Sequence, residues 1–127
     1  MIDRYSRKVM TDIWSDKKKF EIWYEIERYA CEAQAELGIL PKKIINTLNK
    51  NKDIIFDADR INEIEKETKH DVIAFLTFLS ETIGEDARFI HQGMTSSDIL
   101  DTCFSIQLFR SSELLIKGLK DLLQRLK

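Results

Sequence analysis

From Ser15 onward, apolar and charged positions alternate along the chain at helical spacing. Phe20, Trp23, Ile26, Ala30, Ala33 and Leu37 recur at intervals of three and four, which predicts one apolar helix face. Glu21, Glu25, Arg28, Glu32 and Glu36 mark a solvated opposite face. Ser15 backed by Asp16 is a good N-cap, and Gly38 followed by Pro41 is a stop. The preceding residues 1–14 read as a polar, irregular arm. Beyond the stop, Ile44, Ile45 and Leu48 make a short amphipathic piece over residues 42–49, and the Asn/Lys-rich residues 49–53 read as a loop. Asp57 is placed to cap a further helix carrying Ile61 and Ile64. Residues 72–83 are apolar nearly all round, which predicts a helix buried on most sides. Gly84-Glu85-Asp86 breaks that pattern, and residues 87–94 read as a connection.

The longest pattern comes last. Between Ser97 and Lys127 there is no Pro and one Gly. Leu100, Phe104, Leu108, Ser111, Leu115, Leu119, Leu122 and Leu126 repeat every ~3.7 residues, nearer a straight helix than a supercoiled heptad seam. Such a helix reaches roughly 45 Å, longer than a small domain needs. Its stripe is still running at the last residue, which implies further sequence, a partner chain, or both. The expectation is the N-terminal part of a longer protein: a helical domain over residues 1–93, then the start of a helical bundle over residues 94–127.

Composition narrows the class. The chain has 127 residues, the length of one domain with a real core, and 33% charged against 43% hydrophobic residues fits a soluble globular protein. A near balance of 20 basic and 22 acidic residues argues against a nucleic-acid platform. Four Gly and one Pro leave too little turn chemistry for strands and hairpins, so the fold class is all-α. Cys31 and Cys103 each sit inside a helical pattern with no paired spacing, which reads as reduced core thiols and a cytoplasmic location. The first residues lack the apolar core of a signal peptide, and no window approaches transmembrane length.

Two polar islands interrupt the amphipathic patterns. Lys69-His70-Asp71 runs directly into the apolar residues that follow, and Gly93-Met94-Thr95-Ser96-Ser97-Asp98 precedes the long helix. Each has two readings. Residues 57–83 could form one continuous helix, whose successive side chains diverge by about 100° and cannot converge on a ligand. Alternatively, Asp71 caps a new helix and Lys69 and His70 occupy its leading turn. A His beside a carboxylate can then act in proton transfer or anion binding. The Thr/Ser run is either an ordinary N-cap or a surplus of hydroxyls and orphan N–H groups suited to a carboxylate or phosphate. Arg4 and Arg7 flank Tyr5 and Ser6, as a phosphate clamp with a stacking ring or as a solvated arm. His91 has a weaker claim and reads as a surface or packing residue. No Gly-rich phosphate loop, metal-ligand cluster or nucleophile elbow occurs, so neither metal nor cofactor is expected.

At these residues the chain resembles the adenylosuccinate lyases, within the fumarase/aspartase superfamily. The matching stretches are Arg4-Tyr5-Ser6-Arg7, Ile13-Trp14-Ser15, Ala30-Cys31-Glu32-Ala33, Leu37-Gly38, Lys69-His70-Asp71-Val72, and Phe89-Ile90-His91 through Thr95-Ser96-Ser97-Asp98 to Asp101-Thr102. They keep the family's order and spacing, whereas argininosuccinate lyases, fumarases and aspartases write one or both of the islands differently. The resemblance implies elimination of fumarate from two succinylated purine intermediates, in homotetramers whose long helices form a central bundle and whose sites are shared by three subunits. It implies that Arg4 and Tyr5 bind the nucleotide end. Lys69, His70 and Asp71 would line the site near the phosphate and reacting portion, and Thr95 and Ser96 would hold the succinyl carboxylates. His70 would position substrate or assist proton transfer. The family's proton-abstracting Ser lies in a Met-Pro loop, and its second catalytic His in a Thr-His-Gly context. Neither is present here, so the 127 residues alone are expected to be inactive. The competing readings are a stand-alone helical oligomerisation module, a nucleotide-binding domain without chemistry, and another lyase of the fumarase/aspartase superfamily.

Overall fold

The computed structural model describes residues 2–127, and the described residues are helical with no strand. The helices are α1 (Lys8–Ile13), α2 (Asp16–Glu36), α3 (Lys43–Lys50), α4 (Ala58–Thr68), α5 (Asp71–Ile83) and α6 (Ser96–Leu126). Single 3-10 stretches cover Asp3–Tyr5 and Glu85–Phe89. The expected all-α class is met.

Helix α2 is the centre of the packing. Ser15 Oγ accepts from the Lys18 N–H at 3.2 Å, as its capping role requires. The buried arc is not the one the spacing predicts. Ala33 and Leu37 are exposed, and burial follows Phe20, Tyr24, Glu27, Cys31 and Ala35, with Ile22 and Trp23 beside them. The cause is the number of neighbours: α6, α3, α4 and α1 all pack against α2, so burial wraps around the helix instead of following one stripe. Phe20 stacks on Phe75 of α5 with centroids 6.0 Å apart, and Trp23 meets both rings edge-on at 5.4 Å. Phe56 and Phe78 extend the cluster. These rings pack with fully buried aliphatic side chains such as Ile22, Ile44, Leu48, Ile61 and Leu79, and their removal from water holds the domain together.

Residues 2–14 are more ordered than their composition suggests. Instead of an irregular arm they form a 3-10 turn and α1, which docks on α6. Gln107 Nε2 donates to the Ile13 carbonyl at 2.9 Å, and Trp14 Nε1 donates to Ser111 Oγ at 3.0 Å. Those bonds explain why Gln107 and Ser111, both polar, are buried.

Helix α6 turns Ile99, Cys103, Gln107 and Ser111 inward. Phe104, Leu108, Leu115, Leu119, Leu122 and Leu126 of the predicted stripe are all exposed. Phe104 meets the Trp14 ring edge-on at 6.0 Å, and from Leu115 onward the stripe is a second, exposed face. Both cysteines are free and buried.

Candidate substrate site

The continuous-helix reading of residues 57–83 fails at Lys69. That residue adopts a left-handed conformation (φ 54°) and closes α4, its N–H donating to the Glu65 carbonyl at 2.8 Å. His70 is extended (φ −153°, ψ 120°) and caps α5, its Nδ1 accepting from the Ile73 N–H at 3.4 Å. The capping residue is thus His70 and not Asp71, which occupies the first helical position with its carboxylate accepting from the Val72 N–H at 2.7 Å. The reason is geometric. A side chain must leave the extended cap position to reach back to the third helical N–H, and the imidazole does so here.

Nδ1 also lies 3.4 Å from Asp71 Oδ1, and the other ring nitrogen, Nε2, points to the start of α6. That nitrogen lies 3.3 Å from Ser96 Oγ. The two islands, 26 residues apart in sequence, therefore meet at the N-termini of α5 and α6. Thr95 caps α6 through a reciprocal capping box, its N–H donating to Asp98 Oδ2 at 2.7 Å. Helix α6 accordingly begins at Ser96, one residue before the expected start. Lys69, His70 and Thr95 are exposed. The imidazole, the Ser96 hydroxyl and the lysine beside two helix N-termini suit an anion of the size of a carboxylate or phosphate, while the Asp71 and Asp98 carboxylates occupy the Val72 and Thr95 N–H groups.

Arg4 and Tyr5 are not part of this cluster. The Arg4 guanidinium lies over the Tyr5 ring at 4.8 Å. Tyr5 faces an open groove of about 510 Å³ that includes Arg7, Met10, Lys117 and Gly118. Gly118 is 22 residues beyond Ser96 along α6, a distance of about 33 Å at the rise of an α-helix. One chain therefore carries two separated sets of candidate residues.

A pairing that the sequence pattern did not reveal lies behind the second island. Glu27 is completely buried, and both its oxygens face His91. The His91 backbone N–H donates to Oε2 at 2.9 Å, and ring Nδ1 lies 2.7 Å from Oε1. Burial pushes the Glu27 carboxyl above the usual carboxylate range, and the His91 contacts act against that push. His91 is also one of two non-glycine residues at positive φ (67°) among the described residues. The available signal was Glu27 itself, a charge on the 20-24-27-31-35 arc.

A helical domain, a long helix with an exposed apolar face, and two polar helix N-termini facing each other together fit a helical lyase. The lyase family's sequence pattern matches residues 3–127, and the chain belongs to that family. Among individual relatives, it is 46% identical over 120 residues to adenylosuccinate lyase of Bacillus subtilis (strain 168), covering 94% of this chain and 27% of that protein. The chain thus spans about a quarter of that relative's length. In fold it is similar to the crystal structure of a fumarate lyase from Mesorhizobium sp. BNC1, with a TM-score of 0.71 and 24% identity, covering 82% of this chain and 26% of that one.

Proposed function

We propose that the chain is the N-terminal part of an adenylosuccinate lyase, in which residues 1–93 form the first helical domain and residues 94–127 begin the central bundle. The observation that carries this is the 3.3 Å approach of His70 Nε2 to Ser96 Oγ, which joins the two islands at paired helix N-termini. The 46% identity to the Bacillus enzyme supports the choice of substrate, adenylosuccinate and its aminoimidazole counterpart.

In this reading a base removes a proton from the carbon adjacent to the carbon–nitrogen bond, that bond breaks with its electron pair going to nitrogen, fumarate leaves, and the nitrogen gains a proton. Thr95 and Ser96 hold the succinyl carboxylates. Lys69, His70 and Asp71 lie toward the phosphate and reacting portion, with His70 as the catalytic candidate that orients substrate or assists proton transfer. Arg4 and Tyr5 bind the nucleotide end of a different site, since about 33 Å of α6 separates them from Ser96. A site completed between subunits accounts for that separation, and the exposed stripe of α6 supplies the surface for a cytoplasmic homotetramer. The catalytic Ser loop and second His of such a site lie outside these residues, so the chain alone is inactive.

A chimaera tests this. Replacing the matching quarter of the Bacillus enzyme with this chain should give a protein that releases fumarate and AMP from adenylosuccinate. A folded, tetrameric chimaera with no turnover would count against the reading.

A further inference from the structure

One row of α2 bonds to the connection that leads into the second island. Glu27, Cys31 and Gln34 follow one another at helical spacing. They meet three neighbouring residues of the connection between α5 and α6. Glu27 binds His91, Cys31 Sγ lies 3.8 Å from the Phe89 carbonyl, and Gln34 Nε2 donates to the Gln92 carbonyl at 2.8 Å. The bonds from Glu27 are the short ones made by a fully buried group. They hold His91 in a left-handed conformation four residues before Thr95, the cap that sets the start of α6.

We infer that Glu27 is a positioning residue. It keeps a proton on His91 Nδ1, leaves Nε2 as the free nitrogen of that ring, and through His91 fixes the connection that presents Ser96 to His70. One Glu27 oxygen accepts the His91 backbone N–H, which has no other direction of donation. A carboxylate is acceptor-only, so its second oxygen is satisfied by Nδ1–H, in the neutral ring and the imidazolium alike. With Glu27 ionised, the state the His91 contacts favour, the opposite tautomer would set a lone pair against a carboxylate oxygen at 2.7 Å. A carboxylate orienting a histidine through Nδ1 is a recurrent way to define which nitrogen faces a site. The row on α2 then acts as a template, and the ring is fixed by the same group that fixes the backbone.

Glu27→Gln separates this role from packing. The amide keeps the volume and can still accept the backbone N–H, but its NH2 must donate to Nδ1, which forces the proton to Nε2. With imidazole nitrogens labelled in the full chain, wild-type His91 should show a protonated Nδ1 by NMR and the Gln variant a protonated Nε2, with little change in melting temperature. The positioning of the site rests on the lyase reading, so the same substitution is made in the active chimaera. There kcat should fall about tenfold or more while KM for adenylosuccinate changes less than about threefold. A wild-type His91 protonated on Nε2 alone, or a Gln variant with unchanged kcat, would overturn the inference. An inactive wild-type chimaera would instead strike the lyase reading, and the tautomer measurement on the chain would still decide the role of Glu27.

Discussion

Among the described residues, two non-glycine residues adopt the left-handed backbone region, and substituting glycine at each should move stability in opposite directions. Lys69 (φ 54°) and His91 (φ 67°) each pay the steric cost of a Cβ in that region, about 1–2 kcal/mol. At Lys69 the side chain is exposed. Lys69→Gly removes the strain and adds back roughly 0.5–1 kcal/mol of unfolded-state entropy, leaving a net stabilisation of about 0.5–1 kcal/mol. That amounts to a rise of about 3 °C in Tm for a domain of this size. At His91 the same relief is outweighed. Glycine removes the ring from a fully buried carboxylate, and breaking a buried pair on one side costs about 3–5 kcal/mol. The net loss of about 2–4 kcal/mol is a large fraction of a typical domain's stability. Thermal and urea unfolding followed by circular dichroism distinguishes the two. If both glycines stabilise, the Glu27–His91 pair contributes little and the reasoning about the connection is refuted. If Lys69→Gly destabilises, its side chain is doing structural work that the geometry does not show.

Three other outcomes are expected. Phe75→Ala, at the centre of the ring cluster, should cost about 3–5 kcal/mol in urea unfolding, whereas Ile55→Ala at an exposed position should stay within about 0.5 kcal/mol. Bonds from Lys43 and Thr47 hold the Asp86 carboxyl below its ordinary range, so its stabilising effect is present at neutral pH and fades as pH falls below about 4. Asp86→Asn should therefore flatten the acid limb of the stability curve, and an unchanged limb would mean the contact is not maintained in solution. The exposed stripe of α6 predicts self-association that Leu119→Lys together with Leu122→Lys abolishes in light scattering. A wild-type monomer at high concentration would contradict the bundle role of that face.

Much of this was legible in the pattern of residues because capping chemistry is local. Ser15, Asp57 and the Thr95–Asp98 box each announce a helix start within four residues, and the structure uses all three. The all-α class followed from the scarcity of turn residues. Spacing points to the wrong face of α2 because periodicity assumes one partner surface, whereas α2 is enclosed on several sides. Helix α1 escaped notice because six residues carry too few apolar positions to show a period, and its order comes from Gln107 and Ser111, more than 90 residues away. The break at Lys69 could not be decided locally either. No Gly or Pro marks it, and the packing of α4 against α5 selects a strained backbone over a longer helix. The meeting of His70 with Ser96 and the partnership of Glu27 with His91 are products of tertiary packing, which spacing along the chain does not encode.

The most direct test of the account is the specificity constant of the chimaeric lyase carrying His70→Ala. If the two islands form a substrate site, kcat/KM for adenylosuccinate falls about a hundredfold, equivalent to about 2.7 kcal/mol of lost transition-state stabilisation, while the melting temperature drops only modestly. A folded His70→Ala chimaera with kcat/KM within twofold of the parent would show that His70 is a helix cap and nothing more.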